Sequence, residues 1–156
     1  MAVYTVTQKL FSFNHQFTID DGQGTPVLTV QGKVISIGRQ LTFFDMSGAV
    51  VAEIRQKLPS LLPAYDVVIG GQTVLTVRRV FGMRPKFALE GPGWTVQGDW
   101  LGRDFDIVDS GGMAQGHISR NWGPRGVYAV ETPAGAPDIQ VLCAVVAMEL
   151  ARETQH

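Results

Sequence analysis

The sequence predicts a mainly β fold: about twelve antiparallel strands in two six-strand internal repeats, closed into a barrel around a hydrophobic C-terminal helix. Three observations predict it. A tetrapeptide occurs twice in matching surroundings, the apolar period is two through most of the chain, and the last segment is apolar on every side.

Thr-Val-Gln-Gly stands at 29–32 and again at 95–98, 66 residues later. Four residues alone decide little, so the flanks are the test. Downstream, Gly38, Arg39, Leu41, Phe43, Asp45, Gly48 and Ile54 recur 64 residues on as Gly102, Arg103, Phe105, Ile107, Asp109, Gly112 and Ile118. Tyr65 and Val67 recur as Tyr128 and Val130. Upstream, Phe11, Phe17, Ile19 and Asp20 match Phe81, Phe87, Leu89 and Glu90. The offset changes only at glycine-rich or polar stretches, where a hairpin gains or loses residues without slipping strand register. The repeats run about 3–69 and 72–132, within a single domain spanning 1–156.

The elements follow in order. Tyr4/Val6, Phe17/Ile19, Val34/Ile37, Leu41/Phe43, Val50/Ala52/Ile54 and Tyr65/Val67 place β-branched and aromatic residues in short runs, separated by turn sequences such as Asp20–Gly24 and Asp45–Gly48. That gives six strands per repeat. After a Pro-Gly loop, Asp138 is positioned to cap a helix over about 138–153 that runs through Ile139, Val141 to Met148 and Leu150, with almost no polar face before Arg152 and Glu153. A helix without a polar face must be enclosed. Its apolar stretch is about half the roughly 20 residues that span a bilayer, so enclosure by protein is expected and no transmembrane span. An eight-stranded barrel is filled by its own side chains, whereas one of about twelve strands has room for a helix, eased here by the small Ala144 and Ala147.

Composition excludes several classes. A net charge of −1 gives no reason to expect nucleic acid as partner. Cys143, the one cysteine, cannot form an internal disulfide. The opening residues lack the pattern of a secretory signal, so a cytoplasmic protein is expected, peripheral at the membrane at most.

The segments FDMSGAVVAEIRQKL (44–58), SLLPAYDV (60–67), VRRVFGMRPKF (77–87), WTVQGDWLGRDFDIVD (94–109) and GHISRNW (116–122), with the hydrophobic C-terminal helix, resemble the LURP-one-related branch of the tubby C-terminal-like superfamily. The resemblance covers nearly the whole chain and implies a twelve-stranded barrel around a central helix. Relatives include the phosphoinositide-binding tubby proteins, which contribute to transcriptional control, and the phospholipid scramblases. Neither the tubby phosphoinositide motif nor the scramblase calcium segment has a match here, so neither activity is carried over.

No catalytic constellation stands out, and no enzyme, metal or cofactor is expected. His15, His117 and His156 lack ligand spacing, and Cys143 lies on the enclosed helix. Asp99, Asp104, Asp106 and Asp109 read as solvated and turn positions, without the pattern of an EF-hand. Gly22/Gly24 and Gly91/Gly93 fall between strands rather than before a helix, so no phosphate loop follows.

One feature rises above this background. The stretch 77–87 carries Arg78, Arg79, Arg84 and Lys86, and no acid occurs between Asp66 and Glu90. Its counterpart in the first repeat, TQKLFSFNHQF (7–17), keeps Phe11 and Phe17 but only Lys9, as though the fold needs the phenylalanines and not the charges. These four cations are the candidate anion- or lipid-binding residues; the same charges would also keep a hairpin soluble and unpaired. The expected function is a non-catalytic binding module for anionic phospholipid or a phosphate-bearing ligand. The alternative is a protein–protein adaptor using Trp94, Trp100 or Trp122, although tryptophans at such positions more often pack within a barrel. An enzyme or a scramblase-like lipid mover ranks last.

Overall fold

The computed structural model of the chain describes residues 1–9, 17–35, 38–82, 86–98, 104–121 and 127–153. Strands β1 (Ala2–Gln8), β2 (Phe17–Asp21), β3 (Pro26–Ile35), β4 (Gly38–Asp45), β5 (Val50–Gln56) and β6 (Ala64–Ile69) form the first half. The second half holds β7 (Gln72–Val80), β8 (Lys86–Glu90), β9 (Thr95–Gly98), β10 (Asp104–Val108), β11 (Ala114–Asn121) and β12 (Val127–Thr132). Helix α1 (Asp138–Glu153) follows.

The strands make one antiparallel sheet in the order β8-β7-β6-β5-β4-β3-β2-β1-β12-β11-β10-β9. Pairing of β1 with β12, from Ala2↔Thr132 to Thr7↔Val127, joins the halves. Among the described residues the edge strands β8 and β9 meet at one bridge, Leu89↔Trp94, so the barrel is nearly closed.

Period-two patterning sends alternate side chains inward, as a half-wet sheet requires. Phe17, Ile19, Leu41, Phe43, Ile54, Tyr65, Val67, Phe105, Ile107, Ile118, Tyr128 and Val130 are all buried. They surround the helix, in which every residue from Val141 to Ala151 is buried. That run is about three turns, so all faces of the helix are covered. Each fully buried Val, Leu or Met side chain contributes roughly 1.5–3 kcal/mol, which makes this helix a major source of cohesion. Gly116 on β11 shows how closely the strands approach: a Cβ there would lie 2.8 Å from Val141 Cγ1. Among the described residues no helix is long and apolar enough to cross a membrane.

Two polar contacts seat the helix. Asp138, expected as a cap, is its first residue, and its carboxylate accepts the Tyr4 hydroxyl at 2.6 Å. Partial burial and that carboxylate push the Tyr4 hydroxyl up to about 12. Near the other end Glu149, only 1% exposed, accepts the Tyr128 hydroxyl and the Arg152 guanidinium, whose Nε lies 2.9 Å from Oε2. Burial first, then the Glu149 charge, drives the Tyr128 hydroxyl well above its ordinary value. The Cys143 thiol is pushed up by burial alone.

Candidate functional site

The basic hairpin is built on β7 and β8, paired from Thr76↔Glu90 to Val80↔Lys86. Three of the four candidate cations are described, and they do different things. Arg78 is half-buried; its Nε lies 3.3 Å from Glu90 Oε2 and its Nη1 donates to Ser60 Oγ at 3.3 Å. Arg79 lines a groove at the end of β7, and Lys86 is exposed at the start of β8. Arg84 lies outside the described residues.

Sequence reasoning missed the second wall of that groove. The groove, about 220 Å³, runs between Leu61, Leu62 and Pro63 of the β5–β6 connection and Arg79, Val80, Phe81 and Gly82 of the hairpin. A backbone bond holds the two together, Arg79 N–H donating to Pro63 O, and Lys57 N–H donating to Ala64 O closes the connection itself, both at 2.9 Å. Arg78, through Ser60, ties the loop to the hairpin from the side. The available signal was KLPSLLP itself, leucines held between prolines where no period of two continues.

The phenylalanine expectation divides at this site. Phe17 and Phe87 are buried, but Phe81 is 88% exposed, because β7 ends at Val80 and Phe81 stands beyond the inward alternation. Its counterpart Phe11 lies outside the described residues. The adaptor reading also loses a residue: Trp94 is 7% exposed and packs in the core, while Trp100 and Trp122 lie outside the described residues.

A second polar cluster lies on the outer face of β10 and β11. His117 Nδ1 is 2.6 Å from Asp106 Oδ1, its Nε2 is 3.6 Å from Asp104 Oδ1, and Ser119 Oγ donates to Asp104 at 2.7 Å. Asp109, as expected, is a turn residue, accepting the N–H groups of Gly111 and Met113 at 2.9 Å. Among the described residues no group of three or more His, Cys, Asp or Glu is arranged to hold a metal. His15, His156 and Asp99 lie outside the described residues.

The family model of the LURP-one-related proteins matches residues 2–149. The chain belongs to this family. It is 38% identical over 116 residues to the uncharacterized protein YxjI of Bacillus subtilis, covering 74% of this chain and 71% of that one. The X-ray structure of an Arabidopsis thaliana protein matches with a TM-score of 0.68 at 17% identity, over 97% of this chain and 92% of that one. The second likeness speaks for the shared barrel alone.

Proposed function

We propose that this LURP-one-related chain is a non-catalytic binding module that engages phosphate-bearing anionic surfaces at the membrane through Arg79 and Lys86, with Arg84 between them in sequence. The observation that supports it is the charge map of one side of the barrel. From Ile54 to Leu89 the sequence carries Arg55, Lys57, Arg78, Arg79, Arg84 and Lys86 against a single carboxylate, Asp66. Asp66 Oδ1 accepts the Thr76 hydroxyl at 2.6 Å, and Arg55 pairs with Glu53. Among the described residues neither Arg79 nor Lys86 has an acid within ion-pair distance. Arg78, held by Glu90 and Ser60, takes a different part: it braces the wall of the groove.

Each cation near an anionic leaflet contributes about 1 kcal/mol, and the attraction fades within a Debye length of about 10 Å at 0.1 M salt. Flotation with phosphatidylserine-containing and pure phosphatidylcholine vesicles tests the reading. The wild type is expected to float with the anionic vesicles at low salt, and the Arg79→Gln/Arg84→Gln/Lys86→Gln variant to bind them about a hundredfold more weakly, roughly three cations' worth. Equal binding by both proteins, or none by either, overturns it.

A further inference from the structure

We infer that Leu61 and Phe81 insert into the acyl region of an anionic bilayer, so that the β5–β6 loop and the β7–β8 tip form a two-pronged anchor rather than a contact with headgroups alone. This rests on the anionic-surface reading above and adds a demand that charge does not make. Leu61 is 99% exposed and Phe81 88%, with Leu58 and Val80 also exposed beside them. Twenty residues apart in sequence, Leu61 and Phe81 border one groove. Scattered exposed apolar residues are ordinary, but large ones converging from two loops mark a contact surface.

Charge complementarity selects the occupant. Arg79 lines the groove that the prongs border, Lys86 pairs with Val80 beside Phe81, and Lys57 opens the loop that carries Leu61, while the cores of protein interfaces are depleted in lysine. Leucine and phenylalanine beside lysine and arginine is the combination that seats in the interfacial zone of an anionic leaflet. The Leu61 prong is also held in place: Arg79 N–H to Pro63 O and Lys57 N–H to Ala64 O fix the loop ends, and Arg78 secures Ser60. Insertion of Leu61 therefore does not first have to order its loop.

The test uses Leu61→Cys, Phe81→Cys and a control, Met113→Cys, which is exposed on the β10–β11 turn. Each is labelled with an environment-sensitive dye, and Cys143 stays unlabelled because it is buried. With phosphatidylserine-containing vesicles the dyes at 61 and 81 are expected to shift blue while the dye at 113 does not; inositol hexakisphosphate in solution is expected to shift none. In flotation, Leu61→Ala and Phe81→Ala should each weaken partitioning about tenfold with unchanged Tm, and leave the salt dependence intact. Flotation with no dye shift at 61 or 81 overturns insertion and leaves the electrostatic reading standing. A shift at only one of the two overturns the two-pronged anchor. No flotation at all overturns both readings, and a dye shift without vesicles, accompanied by a doubled mass, assigns the patch to a second copy and overturns the bilayer.

Discussion

Strands β1–β6 and β7–β12 place the same kinds of residue at the same stations, yet they treat those stations differently, and the difference separates frame from specialisation. In both halves the first Thr-Val-Gln-Gly and the second pair their glycine and valine with matching residues: Gly32↔Leu41 and Val30↔Phe43, Gly98↔Phe105 and Val96↔Ile107. The turns that follow are built alike. Asp45 Oδ1 accepts from Ser47 N and Ala49 N, and Asp109 Oδ1 from Gly111 N and Met113 N, each just after a register shift in the ladder. Gly48 and Gly112, at φ 89 and 83, supply the left-handed residue that the two turns need.

The halves part company at the next hairpin out. β2 and β3 pair through a ladder from Phe17↔Val30 to Asp20↔Pro26, whereas β8 and β9 share only Leu89↔Trp94 among the described residues. β9 itself ends at Gly98, where φ is +110 and a Cβ would sit 2.9 Å from Asp104 O. The second half thus carries the seam of the barrel and one of the two walls of the groove. Duplicated stations build the barrel wall; the unduplicated ones lie at its seam and face its surroundings.

The helix is what both halves enclose, so disturbing it has the largest expected effect. Val145→Asp puts a carboxylate at a fully buried position without a partner, at a cost of several kcal/mol, comparable to the whole stability of a domain this size. Expression in the insoluble fraction is the expected outcome. A soluble variant with unchanged Tm would mean that the helix is not enclosed. Next comes Glu149. Glu149→Ala leaves the Tyr128 hydroxyl and the Arg152 guanidinium without their common acceptor and should cost about 3 kcal/mol. Glu149→Leu combined with Tyr128→Phe removes both buried polar ends and should recover much of that loss. Denaturant midpoints of the three proteins check it; a double variant no better than Glu149→Ala would show that the network does more than balance its own charges.

The barrel was legible because its signals are local and duplicated. Inward stations such as Leu41/Phe105 and Tyr65/Tyr128 announce themselves twice, and the helix announces itself by lacking a polar face. Glu149 was passed over because one acid in an apolar run leaves the periodicity untouched; only the fold brings Tyr128 to it. For Phe81 the sequence pulled two ways: its match to Phe11 implied a core position and its place among the hairpin's cations a surface one, and because β7 stops one residue earlier it is exposed. The loop wall of the groove left only the aperiodic KLPSLLP as a signal, and its place could not be read from it, since that depends on the pairing of β6 with β7 that carries Pro63 alongside Arg79. Basic residues could be counted in the sequence, but their division between bracing and outward-facing roles could not, because Glu90 and Ser60 are found beside Arg78 only after folding.

The matched turns permit a finer test. Asp45→Ala and Asp109→Ala each remove an acceptor for two turn N–H groups, so Tm should fall by similar small amounts in both. A loss at one alone would break the equivalence. For Asp45, hydrogen bonds led by the Ser47 side chain hold the carboxyl below its usual 3.8. Its contribution is complete above that value and is lost as pH falls through the lower folded-state value, so Asp45→Asn should lessen the acid sensitivity of unfolding in that window.

The smallest expected effect lies where the two halves differ by charge type on the outer face. The cross-strand pair Thr42↔Glu53 of β4 and β5 corresponds to Asp106↔His117 of β10 and β11, so the second half has a histidine where the first has an acid. The hydrogen bond to Asp106 raises the pKa of His117 above 6.5; desolvation opposes the rise, and the charges of Asp106, Asp104 and Glu131 assist it. Protonation is therefore favoured in the folded state. The resulting stabilisation is complete below the unfolded value of 6.5 and disappears as pH rises through the higher folded value. With both side chains 46% exposed, screening limits it to under about 1 kcal/mol. Tm measured across that interval should decline slightly with rising pH in the wild type, and the decline should flatten in His117→Gln but persist in Glu53→Gln. An identical slope in His117→Gln would remove the histidine as the source of the difference between the two halves.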